Sequence, residues 1–237
     1  MSNPPVKHAL SAFKHRFWLR CGLATSLHTK ELLYQELFAW LCERHGIEKR
    51  FYPLRSAANH SLLYLLGRIV EENPVRRIVE LGAGQTTLLL DGLAPKQGAS
   101  VLTLEDNEFW AGELRSRVRH EVRVVPLVAS RLGEKGVQGY DLTSFSANDR
   151  FDLVVVDGPL GRPKASRSGC LDLLDAHLAD EFVVVFDDAE RRGERQTIDR
   201  ARALLKAKCP GLREMEVLAL KRQVVLMSEA FQRIAWY

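Results

Sequence analysis

The segment that decides the fold covers residues 77–88 and reads RIVELGAGQTTL. A short apolar strand leads into a Gly-x-Gly turn formed by Gly82 and Gly84, and a second apolar run, 88–90, begins directly afterwards. Glycine lets the backbone come close to a ligand, and a helix N-terminus offers free N–H donors. The pattern is therefore typical of a loop that cradles a nucleotide between a strand and a helix. A purely structural turn is the alternative that the glycines alone leave open.

Neighbouring residues narrow the choice of ligand. Thr87 stands where a nicotinamide-binding or flavin-binding loop would usually carry a third glycine. Glu80 precedes the first glycine by two residues, and the next apolar strand, 101–104, ends at Glu105-Asp106. An acid about 20 residues beyond the glycines is well placed to accept both ribose hydroxyls. The loop is not followed by Gly-Lys-Ser/Thr, which excludes a phosphate-loop nucleotidase.

This order of acid, glycines and second acid resembles the class I S-adenosylmethionine-dependent methyltransferases. The resemblance implies that the first acid helps to hold the methionine end of the cofactor and that the second holds the ribose. It predicts S-adenosyl-L-methionine as the cofactor, with Ser130 in the position that meets the adenine amine. The residues expected to bind the cofactor are Glu80, Gly82, Ala83, Gly84, Gln85, Thr86, Thr87, Glu105, Asp106, Ser130 and Asp157.

The rest of the chain predicts an α/β fold with a Rossmann-like, mostly parallel, seven-stranded sheet. Apolar runs with few charges, as expected of strands covered on both faces, alternate with helical segments. The predicted strands are 78–81, 101–104, 122–128, 151–156, 182–186, 214–220 and 223–227, and the predicted helices include 110–120, 170–178 and 195–208. Only two residues separate the last two strands, so these must form an antiparallel hairpin. A C-terminal hairpin resembles the methyltransferase arrangement, and dehydrogenase domains lack it.

The sequence predicts two parts, an N-terminal helical extension or cap (1–55) and a methyltransferase domain (56–237). Residues 1–55 hold nine Lys or Arg and four Glu, a net charge of +5, whereas the whole chain carries +4. The basic extension could cap the active site, form a homodimer interface, or meet an anionic glycan or membrane surface. Its helical part carries an apolar stripe of Leu33, Leu37, Trp40 and Leu41, which predicts packing against a partner surface.

Composition excludes several classes of protein. The chain has 237 residues and 46% hydrophobic content, enough for one large core. Its four cysteines form no Cys-x-x-Cys pair, which favours reduced thiols and a cytoplasmic location. A run of 18 uncharged apolar residues is absent, so we expect no transmembrane segment. Aromatic residues among the N-terminal charges are more typical of a core than of a nucleic-acid platform, so nucleic acid is not an expected partner.

Acidic residues follow two of the predicted buried strands. Asp157 follows the fourth strand, and Asp187-Asp188 follow the fifth. Neighbouring strand ends lie about 5 Å apart, so these carboxylates can converge. They would then repel one another unless protons or a cation such as Mg²⁺ intervened. Helix capping or contact with the cofactor is the alternative role for these acids.

This second pattern resembles the metal-dependent O-methyltransferases that act on catechols, acyl-coenzyme A esters and macrolide sugars. If the protein uses Mg²⁺, the resemblance implies that Asp157, Asp187 and Asp188 are its ligands. The chain departs from the pattern in the segment 177–181, which replaces the usual Gly-Gly turn, and in the long basic loop 161–167. Both departures weaken the prediction of a metal site, but they do not weaken the prediction of methyl transfer.

The predicted function is O-methylation of a sugar or another small hydroxylated metabolite. Asp157 and Asp187 are the expected catalytic residues, and Lys164 is a candidate general base. The cationic loop that contains Arg162, Lys164 and Arg167 suits an anionic group on a small-molecule or glycan acceptor. The alternatives are metal-free N- or O-methylation, an aminopropyl transfer on the same fold, and a non-catalytic domain that binds a partner.

Overall fold

The structure, a computed structural model, describes residues 26–53, 57–161 and 163–236. Within these ranges, no helix is both long enough and apolar enough to cross a membrane. The helices are α1 (26–44), α2 (His60–Glu72), α3 (Gln85–Leu93), α4 (Glu108–Arg115), α5 (Cys170–Ala176) and α6 (Arg192–Lys208), with 3₁₀ turns at Ala94–Gln97 and Glu229–Trp236. The strands are β1 (Arg77–Leu81), β2 (Ser100–Glu105), β3 (Glu121–Val124), β4 (Leu127–Ala129), β5 (Gln138–Tyr140), β6 (Phe151–Val156), β7 (Leu178–Phe186), β8 (Arg213–Leu218) and β9 (Arg222–Met227).

A seven-stranded sheet forms the centre of the molecule in the order β3-β2-β1-β6-β7-β9-β8. The first five strands run parallel, and β9 joins β7 and β8 in antiparallel pairs. The predicted fold class is therefore confirmed, including the C-terminal hairpin. The chain order reverses between β1 and β6, and open sheets of this kind bind ligands beside such a switch point, at the carboxyl ends of the strands.

Two predicted strands differ most from the structure, and the predicted helix 110–120 ends at Arg115 in α4. The predicted strand 122–128 is divided at Pro126, because proline lacks the N–H that a sheet ladder requires. Its second half, β4, pairs with β5 in a separate antiparallel ribbon that the sequence did not predict. The segment 177–181 belongs mostly to β7, which begins at Leu178, with an irregular register opposite β6. Where the metal-dependent O-methyltransferases usually have a Gly-Gly turn, this chain therefore has an extension of the strand.

Helix α1 packs in the same core as α2 and the sheet. Phe38 and Leu41 are buried in that core, and Leu41 fills the space beside Gly67 of α2. Leu33 and Trp40 point outwards instead, so the predicted apolar stripe was only partly right. The described part of the predicted extension is thus built into the sheet domain. The predictions made for residues 1–25 lie outside the described ranges.

Candidate cofactor and acceptor site

A cleft of about 660 Å³ opens at the carboxyl ends of the parallel strands, beside the switch point. It falls within the range of small-molecule sites, which is about 300–1,000 Å³. The glycine turn and the ends of β2 and β6 meet there. The residues that line it are Tyr52, Ala57, Ala58, Gly82, Ala83, Gly84, Gln85, Glu105, Asp106, Asn107, Trp110, Asp157, Gly158, Pro159, Leu160 and Arg167.

The two glycines of the Gly-x-Gly turn are required for different steric reasons. Gly82 has a φ of +88°, and a Cβ there would lie 2.7 Å from the backbone of Gly158. The loops after β1 and β6 therefore touch through their main chains. A Cβ on Gly84 would meet no atom within 4 Å, so this side of the turn faces open space in the cleft. A ligand can approach the backbone most closely at Gly84.

Glu105 connects the end of β2 with the glycine turn. Its Oε2 accepts the Ala83 N–H at 2.9 Å, and its Oε1 accepts the N–H groups of Asp106 (3.1 Å) and Asn107 (2.9 Å). The carboxylate also lines the cleft. A carboxylate has about four lone-pair sites, and three of them accept these N–H groups, so about one remains for a ribose hydroxyl. The backbone contacts fix its orientation in advance.

Glu80 lies beneath the glycine turn and does not line the cleft. It is completely buried, and its Oε2 accepts hydrogen bonds from the hydroxyls of Thr87 (2.7 Å) and Thr103 (2.8 Å). Burial raises the pKa of the Glu80 carboxyl to about 7. Thr87 in turn accepts the N–H of Gly84 at 2.7 Å. Glu80 and Thr87 therefore position the turn from below, and neither is placed for the direct cofactor contact that the resemblance implied.

Other predicted cofactor residues divide into two groups. Gln85 lines the cleft, and its side-chain oxygen accepts the N–H of Tyr52 at 2.7 Å. Thr86 is buried and lies outside the lining. Ser130 is also absent from the lining, and its hydroxyl accepts the N–H of Gly133 within the turn that follows β4. A second, smaller hollow beside Asp106 is instead bordered by β4 and β5 residues, Leu127 and Gln138 among them.

An aromatic residue lines the cleft and contacts the glycine turn. Trp110 sits in the first turn of α4, where the Asn107 side chain caps the helix by accepting the Trp110 N–H. The indole Nε1 of Trp110 donates to the carbonyl oxygen of Ala83 at 2.7 Å. Trp110 and Glu105 therefore hold the same residue of the turn, Ala83, through its carbonyl oxygen and its N–H respectively.

Asp157, Asp187 and Asp188, here named the carboxylate cluster, converge as predicted. Each offers an oxygen that lies within 4.8 Å of an oxygen of the other two. Only Asp157 lines the cleft, since Asp187 and Asp188 are about 1% exposed. Burial and the neighbouring charge of Asp187 raise the pKa of the Asp157 carboxyl above its ordinary value. Asp187 is therefore placed to support Asp157 and not to touch an acceptor.

Basic residues near the cluster differ from those predicted. Lys164 is exposed and lies outside the cleft lining, so the geometry does not support its proposed role as a base. Arg167, three residues later, is buried and lines the cleft. Positive φ angles at Ala165 (44°) and Arg167 (59°) turn the chain at this point. Lys221, which no sequence pattern connects with these acids, also pairs with the cluster. Arg162 lies outside the described ranges.

A buried chain of hydrogen bonds runs from the carboxylate cluster to α1. Gln223 Nε2 donates to Asp187 Oδ1 (2.8 Å) and to Asn59 Oδ1 (3.2 Å). Asn59 caps α2, and its Nδ2 donates to Glu31 Oε2 at 2.8 Å. Glu31 Oε1 also accepts the backbone N–H of His60 at 2.7 Å. The site is thus connected through β9 and α2 to the first described helix.

Comparison with known proteins identifies the fold. No protein-family model matches the chain, and no curated protein matches it in sequence. An O-methyltransferase from Bacillus cereus, solved with SAH, is 16% identical with a TM-score of 0.51, over 86% of this chain and 100% of that one. A 16S rRNA N2 G1207 methyltransferase from T. thermophilus, solved with AdoMet and guanosine, is 17% identical with a TM-score of 0.50.

That second match covers 77% of this chain and 44% of the other, so the chain spans less than half of the T. thermophilus enzyme. Identities at this level show the fold alone. The chain has the Rossmann-like fold of the S-adenosylmethionine-dependent methyltransferases.

Proposed function

We propose that the protein is an S-adenosylmethionine-dependent methyltransferase that transfers a methyl group to a hydroxyl of a sugar or another small hydroxylated metabolite, and that it works in the cytoplasm. One observation carries the proposal. A single cleft at the switch point of the sheet joins an open glycine turn, a preoriented carboxylate (Glu105) and a proton acceptor (Asp157).

The cleft provides what the cofactor needs. Bound S-adenosyl-L-methionine supplies a methyl group on a positively charged sulfur. Glu105 would accept a hydrogen bond from a ribose hydroxyl, and Gly84 leaves room for the cofactor to approach the backbone. Gln85 and Asp106, which also line the cleft, extend the polar wall on either side.

Asp157 is the residue that we assign to the acceptor. It lies at the end of β6 with its side chain in the cleft, and Arg167 Nη2 holds its Oδ1 at 3.2 Å. A raised pKa makes the ionised form of Asp157 a stronger base than an ordinary carboxylate, so ionised Asp157 can remove the proton from an acceptor hydroxyl as that oxygen attacks the methyl group. The remaining rate enhancement comes from holding the two reactants in line.

The rim of the cleft favours a neutral acceptor with an apolar or ring-shaped body. Tyr52, Trp110 and Leu160 line the cleft and expose 58%, 41% and 93% of their surfaces. The buried cation Arg167 is already paired with acidic groups of the protein, which leaves it less available to a phosphate or carboxylate than the sequence suggested.

Calorimetric titration of S-adenosylhomocysteine tests the cofactor site. Glu105→Gln keeps the size of the side chain and removes its charge, and we expect affinity to fall about tenfold to a hundredfold, since a charged hydrogen bond contributes about 1.5–3 kcal/mol. Glu113→Gln, an exposed acid on the neighbouring helix α4, is the matched control and should bind like the wild type. Wild-type protein that binds no S-adenosylhomocysteine would refute the proposal.

A second variant separates an enzyme from a binding module. Asp157→Asn should retain S-adenosylhomocysteine affinity within a few-fold while methyl transfer to a hydroxyl acceptor falls about 10²- to 10⁴-fold. A panel of sugars and phenols with labelled methyl donor would supply the acceptor. Wild-type protein that binds the cofactor and methylates none of them would favour the non-catalytic alternative.

A further inference from the structure

Lys221 bridges two members of the carboxylate cluster. Its Nζ lies 3.0 Å from Asp187 Oδ2 and 3.0 Å from Asp188 Oδ1. Lys221 precedes β9, which pairs antiparallel with β7, so the C-terminal hairpin delivers the ammonium group to the end of β7. The turn is held there because Ala189 donates its N–H to the carbonyl oxygen of Arg222 at 2.8 Å. The sheet therefore fixes the backbone position from which the Lys221 side chain reaches the cluster.

Two guanidinium groups pair with the rest of the cluster. Arg167 Nη2 lies 3.1 Å from Asp188 Oδ2 and 3.2 Å from Asp157 Oδ1, and Arg191 Nη1 lies 2.8 Å from Asp188 Oδ2. With the Gln223 amide described above, five of the six carboxylate oxygens lie within 3.2 Å of a donor nitrogen. Most of the oxygens that a metal would use therefore already face a donor nitrogen, and Asp188 Oδ1 is paired with Lys221 by charge without a hydrogen bond.

The charge balance of the carboxylate cluster also disfavours the binding of a divalent ion. The three carboxylates face three cations, Lys221, Arg167 and Arg191. Among the described residues, adding the buried Glu194 near Arg167 gives four acids against three bases, a balance of one negative charge when every acid is ionised. A divalent ion would have to displace the bound ammonium or add two positive charges to a site poorly exposed to water, which is costly. The residues present do not fit the Mg²⁺ site that the sequence resemblance implied.

We infer that the ammonium group of Lys221 is a built-in cation that replaces a metal ion in this cluster, and that the protein binds no divalent metal there. Lys221 and Arg167 are positioning residues: together they fix Asp187, Asp188 and Asp157, and only Asp157 reaches the acceptor. The structural part of the inference stands on the ion pairs, while the metal independence of catalysis rests on the proposed function.

The test measures metal binding directly. Mn²⁺ prefers the same oxygen ligands as Mg²⁺ and is visible by electron paramagnetic resonance. EDTA-treated wild type, Lys221→Met and Lys221→Met/Asp188→Asn would be titrated with Mn²⁺, with Lys208→Met as control. Lys208 also pairs with a carboxylate, that of Asp175 at 2.7 Å, but neither residue lines the cleft, and 39% of the Lys208 side chain is exposed.

The expected results follow from the charge balance. The wild type and Lys208→Met should bind no stoichiometric Mn²⁺ at millimolar concentration. Lys221→Met leaves a buried negative charge without its partner, so its melting temperature should fall by about 10 °C. Mn²⁺ should bind to this variant and restore much of the loss, and the added Asp188→Asn change should abolish that binding.

Two outcomes would overturn the inference. One is stoichiometric binding of Mn²⁺ to the wild type that Asp187→Asn or Asp188→Asn removes. The other is a Lys221→Met variant with an unchanged melting temperature and no gain in Mn²⁺ affinity. Should Lys221→Met fail to fold, the wild-type titration still decides whether a metal binds.

The same samples separate this inference from the proposed function. S-adenosylhomocysteine binding is measured on the wild type without metal. Loss of that binding would remove the methyltransferase proposal and leave the Mn²⁺ result intact. Cofactor binding together with a metal-binding wild type would retain the methyltransferase and refute the role assigned to Lys221.

Discussion

Replacing Glu80 by glutamine is expected to stabilise the protein relative to wild type above neutral pH and to change little below pH 5. Glu80 is completely buried, and burial raises the pKa of its carboxyl from 4.5 to about 7. A raised pKa means that the fold prefers the protonated acid. The stabilisation is present in full below pH 4.5 and is lost as the pH rises through 7.

The magnitude follows from the two pKa values. At 1.36 kcal/mol for each pH unit, the change from 4.5 to about 7 corresponds to about 3 kcal/mol of unfolding free energy. For a chain of this size, that corresponds to roughly 6–12 °C in melting temperature. Glutamine cannot ionise, so Glu80→Gln should escape this loss while it retains an acceptor oxygen for Thr87 and Thr103.

Urea unfolding of the wild type and Glu80→Gln at pH 5, 6, 7 and 8 measures the effect. The difference between the two proteins isolates Glu80, because other titrating groups such as Asp157 and His120 are present in both. Glu113→Gln, which changes an exposed acid, should show a difference that does not vary with pH. A difference between wild type and Glu80→Gln that is constant from pH 5 to 8 would refute the reasoning.

Two further variants test the glycine turn. Gly82→Ala adds a Cβ 2.7 Å from the Gly158 backbone at a φ of +88°, and should cost at least about 2 kcal/mol of stability and most S-adenosylhomocysteine affinity. Gly136→Ala, with a φ of +83° and open space around it, should cost only about 1 kcal/mol; equal losses would contradict the steric argument. Trp110→Phe removes the hydrogen bond to Ala83, so calorimetry should show several-fold weaker cofactor binding, and unchanged affinity would count against this role.

Local patterns in the sequence predicted most of the sheet. Buried runs of valine and leucine identified the parallel strands, and the two residues between the last strands required a hairpin. The ribbon of β4 and β5 was missed because an apolar run, 122–128, continues across Pro126. Proline predicts a break in the strand at this position. The pairing of the second half, β4, with β5 depends on contacts between residues that are distant in sequence.

The candidate site was predicted less completely than the fold. Strand ends placed Glu105 and the carboxylate cluster correctly, because their positions follow from the sheet. Lys164 and Arg167 could not be told apart in sequence, since the backbone turn that buries one and exposes the other is a property of the folded loop. Lys221 was missed because its partners lie more than 30 residues away, with no spacing to connect them.

The buried connection from Gln223 through Asn59 to Glu31 limits how the chain can be shortened. A fragment that begins at residue 56, the boundary predicted from the sequence, would lack Glu31. The carboxylate of Glu31 accepts hydrogen bonds from the Asn59 side chain and from the first backbone N–H of α2. It would also uncover the apolar surface now covered by Phe38 and Leu41. Such a fragment should aggregate on expression, and a workable shortened protein has to begin before residue 31.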